Sequence, residues 1–166
     1  MSSVTVAMSG GVDSSLAAYY LLQKGYSVSG ITMIFRIIFP DGKYYPIGEK
    51  AAEDAANICT QLGIKHDIVD YTESFNEFVI TDFTRNYLEG RTPNPCVICN
   101  KKIKFGKLAD HAFEKGSDFF ATGHYSSIIN DGSNYFIKRN ALDPKDQTYF
   151  LYKILIDHLN RLALSQ

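Results

Sequence analysis

Ser9-Gly10-Gly11-Val12-Asp13-Ser14-Ser15 follows directly on a short apolar run, Val4-Thr5-Val6-Ala7-Met8. Beyond it, Leu16, Tyr20 and Leu21 recur at helical spacing, so the stretch reads as strand, glycine loop, helix. Two adjacent glycines let the backbone turn its N–H groups inward, while Asp13, Ser14 and Ser15 open the helix. A helix N-terminus carries unpaired donors and the positive end of the dipole, which makes it a ready anion site. The loop lacks the lysine of a G-x-x-x-x-G-K-[ST] phosphate loop and the spacing of G-x-G-x-x-G. A plainer reading is a tight turn in which Ser and Asp cap the helix.

Working outward, Lys24-Gly25 stops the first helix, and Ser27 to Met33 alternates as a second strand. Ile34 to Gly48 reads as a surface excursion with a hairpin around Asp41-Gly42. Glu49 to Leu62 is a helix with Ala52, Ala55, Ala56, Cys59 and Leu62 on one side, and Gly63 ends it. Lys65 to Val69 is a third strand. Phe75 to Leu88 is an aromatic helix with a Phe75, Phe78, Val79, Phe83, Tyr87 stripe. Gly90 to Pro95 is a loop, since a residue before proline avoids helical geometry. A helix follows over Lys101 to Lys115, then a strand Phe119–Thr122 entering Gly123-His124-Tyr125. Tyr135–Lys138 is a further strand, and Thr148–Leu164 a terminal helix. Alternating strands and helices predict an α/β fold: a doubly wound, mainly parallel sheet with helices on both faces. Ligands of such sheets sit at the carboxyl ends of the strands, where Met33, Gly123-His124 and the glycine loop are expected to meet.

At 166 residues, 45% hydrophobic and 21% charged, the chain reads as one globular domain with its own core. A net charge of −1 excludes a chain-wide nucleic-acid surface and leaves room for a local one. No basic leader precedes the first strand, and the apolar run Ile31–Phe39, broken by Arg36, is too short for a bilayer. Three cysteines are an odd number, so a disulfide framework is not expected and a cytoplasmic location is.

The second informative stretch is Thr92-Pro93-Asn94-Pro95-Cys96-Val97-Ile98-Cys99-Asn100-Lys101-Lys102-Ile103-Lys104-Phe105-Gly106. A helix starting near Cys96 would set Cys96 and Cys99 on one face, where its dipole and Lys101, Lys102 and Lys104 would favour thiolates. On that reading Cys99 is the more reactive thiol and Cys59, on an alanine-rich face, is core. The bland alternative makes Cys96 and Cys99 small buried residues. C-x-x-C is half a zinc site, and the histidines show no paired metal spacing.

The S-G-G-x-D-S-S string resembles the PP-loop of the N-type ATP pyrophosphatases, a Rossmann-like, adenine nucleotide alpha hydrolase-like fold. With Met33, T-P-N-P-C-V-I-C-N-K-K-I-K-F-G, A-T-G-H-Y (Ala121–Tyr125) and K-D-Q-T-Y-F-L (Lys145–Leu151), the chain is similar to the tRNA-specific 2-thiouridylases in matching order. The resemblance implies a PP-loop domain over residues 1–166, with ATP held by Ala7, Met8, Ser9, Gly10, Gly11, Val12, Asp13, Ser14, Met33 and Gly123. It implies that Asn94, Pro95 and Cys96 meet the target base and that Lys145, Asp146 and Gln147 touch the tRNA. It makes Cys99 the nucleophile's position, with Cys96 where some members have Asp. Mg²⁺, a tRNA and a persulfide-carrying sulfur donor follow as expected cofactor and partners; no protein metal site and no membrane partner are expected. Family members are longer, with a second catalytic cysteine and further tRNA-binding domains; here the sequence ends at Gln166 and no cysteine follows Cys99. The competing readings are an adenylating enzyme for a small molecule, a nucleotide-binding module without turnover, and an iron–sulfur protein ligated by Cys96 and Cys99 with Cys59 or another chain.

Overall fold

The computed structural model describes residues 1–139, 144–154 and 159–164. Strand β1 (Ser3–Ala7) lies at the centre, parallel to β2 (Ser27–Ile38) on one edge and, past the intervening elements, to Phe119–Thr122 on the other. Chain order runs β1, α1 (Val12–Gln23), β2, β3 (Tyr44–Ile47), α2 (Glu49–Leu62), β4 (Lys65–Asp70), α3 (Thr72–Phe75), α4 (Thr81–Leu88), α5 (Pro95–Cys99), α6 (Ala109–Glu114), β5 (Phe119–Thr122), β6 (Ser127–Asn130), β7 (Tyr135–Lys138) and β8 (Leu162–Leu164). The parallel ladder has the order β4-β2-β1-β5-β8, wound outward from β1 in both directions. Its switch point is therefore beside β1, where the glycine loop leaves the sheet.

Both faces are covered. Val4, Val6 and Met8 turn to one side and pack with Ala17 and Ala18 of α1 and Ala55 and Cys59 of α2. Ile31 and Phe120 turn to the other and pack with Phe105, Leu108 and Ala112. This is the period-two alternation of a sheet buried twice. Thr5 is buried between them, and its hydroxyl is satisfied by Ser29 Oγ at 2.9 Å and Ser117 Oγ at 2.6 Å.

Several sequence expectations need correction. The second strand does not stop at Met33 but continues to Ile38, because its outer half gains the antiparallel partner β3 across the Asp41-Gly42 hairpin. Helix α1 forms, but buries Ser14, Ala17 and Ala18, while Leu16 and Tyr20 stay exposed. The aromatic helix contains a π-wound segment, Asn76–Ile80, between α3 and α4. Wider winding rotates the following residues, so Phe75 and Val79 are buried but Phe83 and Tyr87 are not. The helix expected from Lys101 begins at Pro95, with proline at its first position and Asn94 Oδ1 accepting from Cys96 N at 3.1 Å. It widens to π winding from Asn100 and kinks at Gly106 (φ −100°, ψ −106°) before running through Leu108 into α6.

The terminal helix is the largest miss. Thr148–Phe150 is a single 3₁₀ turn, and Leu162–Leu164 is β8, paired with Phe120–Thr122 at the sheet edge; residues 155–158 of that expected helix lie outside the described residues. Its register is held by Phe120 N–H donating to Arg161 O at 2.8 Å and by the Arg161 guanidinium, which donates to Ser117 O and lies 3.6 Å over the Phe113 ring.

Candidate nucleotide site

The glycine loop closes on itself. Ser9 N–H reaches Ser14 Oγ at 3.2 Å, and the hydroxyls of Ser14 and Ser15 donate back to Gly11 O at 3.1 and 2.7 Å. Neither serine nor Asp13 caps α1, which has no side-chain cap hydrogen bond. The cap reading is thereby corrected: the polar side chains shape the loop and leave the first N–H groups of a twelve-residue helix uncapped. Gly10 takes φ +73°, and a Cβ there would lie 2.8 Å from Ala51 O on α2. Across the sheet, a Cβ at Gly123 would lie 2.8 Å from Ser14 N, so the loop after β5 can meet the start of α1 only as glycine.

The loop opens into a cavity of about 410 Å³ at the carboxyl end of β1. Of the residues expected to hold ATP, Ala7, Met8, Ser9, Asp13, Ser14, Met33 and Gly123 line it. Gly10 instead supports the loop from beneath α2, and Val12 is largely exposed. Met33, together with Ile31 and Phe35 two residues either side, gives an apolar wall. Met8 is pinned from behind: its N–H donates to Ile31 O at 2.8 Å, and its carbonyl accepts from Thr32 Oγ1 at 2.8 Å.

The residues expected to meet RNA divide. Gln147 lines the cavity, and its Oε1 accepts from Tyr125 N while its own N–H donates to Tyr125 O. Lys145 Nζ lies 5.2 Å over the Tyr125 ring, and Asp146 accepts from Thr148 N and Oγ1. Asn94, Pro95 and Cys96 are not in the cavity wall; Asn94 is occupied as the cap of α5.

The cysteines differ from expectation in ionisation. Burial pushes the Cys99 thiol up, Lys104 pulls it back, and Cys96 adds a further upward push. The thiolate expectation fails at Cys99 because burial outweighs the nearby lysine, whereas exposed Cys96 sits near the start of α5. Cys59 is buried on the opposite face of the sheet, where a Cβ on Gly30 would touch its Sγ, and burial raises its pKa too. An iron–sulfur cluster at Cys96 and Cys99 would therefore not find its third ligand in Cys59, and among the described residues no three His, Cys, Asp or Glu gather for a metal.

Sequence reasoning assigned no role in the nucleotide site to Phe35 and Lys104, both in the wall, whereas His124 lines it as the Gly123-His124 turn led one to expect. Phe35 was recoverable from the alternation with Ile31 and Met33. Burial, then Lys104's charge, lowers the His124 pKa from 6.5 to about 4, and its Nδ1 lies 2.8 Å from Thr122 Oγ1.

A strand-loop-helix anion cradle beside an apolar wall is now joined by similarity over the whole chain. The sequence profile of the tRNA methyl transferase HUP domain matches residues 2–165. This chain belongs to that family. It is 44% identical over 97% of its length to a tRNA-specific 2-thiouridylase MnmA of Clostridium acetobutylicum, covering 46% of that protein. It is 45% identical over 96% of its length to a tRNA-specific 2-thiouridylase MnmA 1 of Syntrophus aciditrophicus, covering 43% of it. The HUP domain thus spans about half the length of the curated relatives it matches. In fold it is similar to the crystal structure of a predicted subunit of tRNA methyltransferase from Methanocaldococcus jannaschii, with a TM-score of 0.50, 24% identity, and 74% of this chain and 53% of that one covered.

Proposed function

We propose that this chain is the ATP-binding part of a tRNA uridine 2-thiolation enzyme, acting with tRNA and a persulfide-carrying sulfur donor in the cytoplasm. The carrying observation is the uncapped N-terminus of α1 opening, beside Gly123, into a cavity walled by Met33 and Phe35. Phosphates suit the N–H groups of the loop, and a purine suits the apolar wall. The 2-thiouridylase relatives support the choice of base chemistry.

Uracil C2 is a poor electrophile because its oxygen is a bad leaving group. Attack of O2 on the α-phosphorus, with the bond to pyrophosphate breaking, converts that oxygen into a leaving group. The terminal sulfur of a persulfide then attacks C2, and AMP departs with O2. A thiol attack on the inner persulfide sulfur breaks the S–S bond, leaves the sulfur on C2 and closes a disulfide. Cys99 is the thiol assigned to this step, with the persulfide carried by Cys96 or by the donor. Mg²⁺ binds through few carboxylates and through substrate phosphates, so Asp13 and Ser9 fit as oxygen donors beside a phosphate chain. It would neutralise charge on the departing pyrophosphate. Lys145, Asp146 and Gln147 are the proposed tRNA contacts, and Asn94, Pro95 and Cys96 the proposed contacts to the base, which must leave its stack.

ATP–pyrophosphate exchange with and without unmodified tRNA tests this reading. Exchange that requires the tRNA is the expected result. No stabilisation by saturating ATP against heat, and no exchange, would overturn it.

A further inference from the structure

The glycine loop carries no lysine, yet the cavity it opens into receives one from a distant element. Lys104 lines that cavity with Asp13, Ser14 and His124. It stands in the π-wound turn that ends at the Gly106 kink, between Ile103 and Phe105, both fully buried, which fix the backbone on either side. Winding by five residues per hydrogen-bonded ring sets Lys104 one turn beyond Cys99. We propose that Lys104 is the cation that meets the α-phosphoryl group of the bound nucleotide, the half that becomes AMP; this deepens the ATP reading above and rests on it.

Two observations support the assignment. Of the lining residues that can carry positive charge, His124 is held neutral at physiological pH, which leaves Lys104 as the positive charge among the described residues of the wall. Its charge acts both on His124, which lines the cavity, and on Cys99, which does not, while the α1 N-terminus at Ser14 provides the other anion site, for the pyrophosphate. As O2 bonds to the α-phosphorus and the bond to the bridging oxygen breaks, pyrophosphate takes the electron pair toward α1. Lys104 keeps its contact with the α-phosphoryl oxygens throughout.

The test separates the two halves of the nucleotide. In competition with a fluorescent ATP analogue, Lys104→Gln should weaken AMP by about tenfold, the size of one charge-assisted hydrogen bond. Inorganic pyrophosphate should compete as in wild type, which also reports that the variant is folded. Lys104→Arg should recover most of the AMP affinity. AMP binding unchanged in Lys104→Gln, or AMP and pyrophosphate weakened alike, overturns the assignment and leaves the ATP reading standing. A wild type that binds neither the analogue nor ATP overturns both.

Discussion

The Tyr125 hydroxyl donates a hydrogen bond to Asp13 Oδ1 at 2.5 Å, joining residues 112 apart in sequence. The same tyrosine exchanges backbone and side-chain hydrogen bonds with Gln147, so the glycine loop and the Lys145–Gln147 segment share one holder. Tyr125→Phe removes the link to Asp13 and keeps the ring and backbone. Nucleotide affinity should fall about threefold to tenfold, the scale of a hydrogen bond to a carboxylate in a partly exposed site. Calorimetric titration with ATP checks this. Wild-type affinity in the variant would mean that Asp13 needs no such holder.

The two loop glycines should behave differently. Gly10→Ala places a Cβ at 2.8 Å from Ala51 O with φ +73°, and that contact is with backbone, which cannot swing aside. A loss of about 2–4 kcal/mol follows from the left-handed conformation and the overpacking together. Gly11 has φ −89° and ψ 168°, and its added Cβ would sit 3.4 Å from Ser9 Oγ. Gly11→Ala should stay within about 1 kcal/mol of wild type in urea unfolding without nucleotide. Equal destabilisation by both substitutions would contradict the close approach of α2 to Gly10.

The glycine loop was legible because its chemistry is local: a strand, two glycines and polar residues in seven positions. Helix α2 was legible for the same reason, since alanine spacing and Gly63 act within one element. What could not be read is what depends on distant partners. β2 reaches Ile38 because of β3, and Leu162–Leu164 is a strand because Phe119–Thr122 offers an open edge. Lys104 looked like one more lysine in a basic run until a π-wound segment carried it to the cavity. The ionisation of Cys99 was misread because burial opposes nearby lysines, and burial is not written in the spacing.

Acid should destabilise the protein through His124. Its pKa falls from 6.5 to about 4 on folding, so the unfolded chain binds a proton that the folded chain refuses. Stability is then full above about pH 6.5 and declines as pH drops toward 4, by about 2 kcal/mol between 6.5 and 5. Urea unfolding at pH 7.5 and pH 5 measures the slope. His124→Gln should flatten it in part; His66, whose pKa burial also lowers, retains the remainder. A slope identical to wild type would remove His124 as its source.

Thiol reactivity provides the last prediction. Cys96 is exposed near the start of α5, Cys99 is partly covered and burial raises its pKa, and Cys59 is 1% exposed. Alkylation of reduced native protein near neutral pH should therefore label Cys96 first, Cys99 more slowly and Cys59 last. The thiolate is the reacting form, so the Cys99 rate should climb with pH to a later midpoint than that of an unhindered thiol. Peptide mass spectrometry over a pH series reads all three sites in one sample. If Cys99 labels ahead of Cys96 at neutral pH, its environment favours thiolate after all and the burial argument fails. The same series with saturating pyrophosphate separates access from charge: with the anion at the α1 end of the cavity, as proposed above, Cys96 labelling should not change.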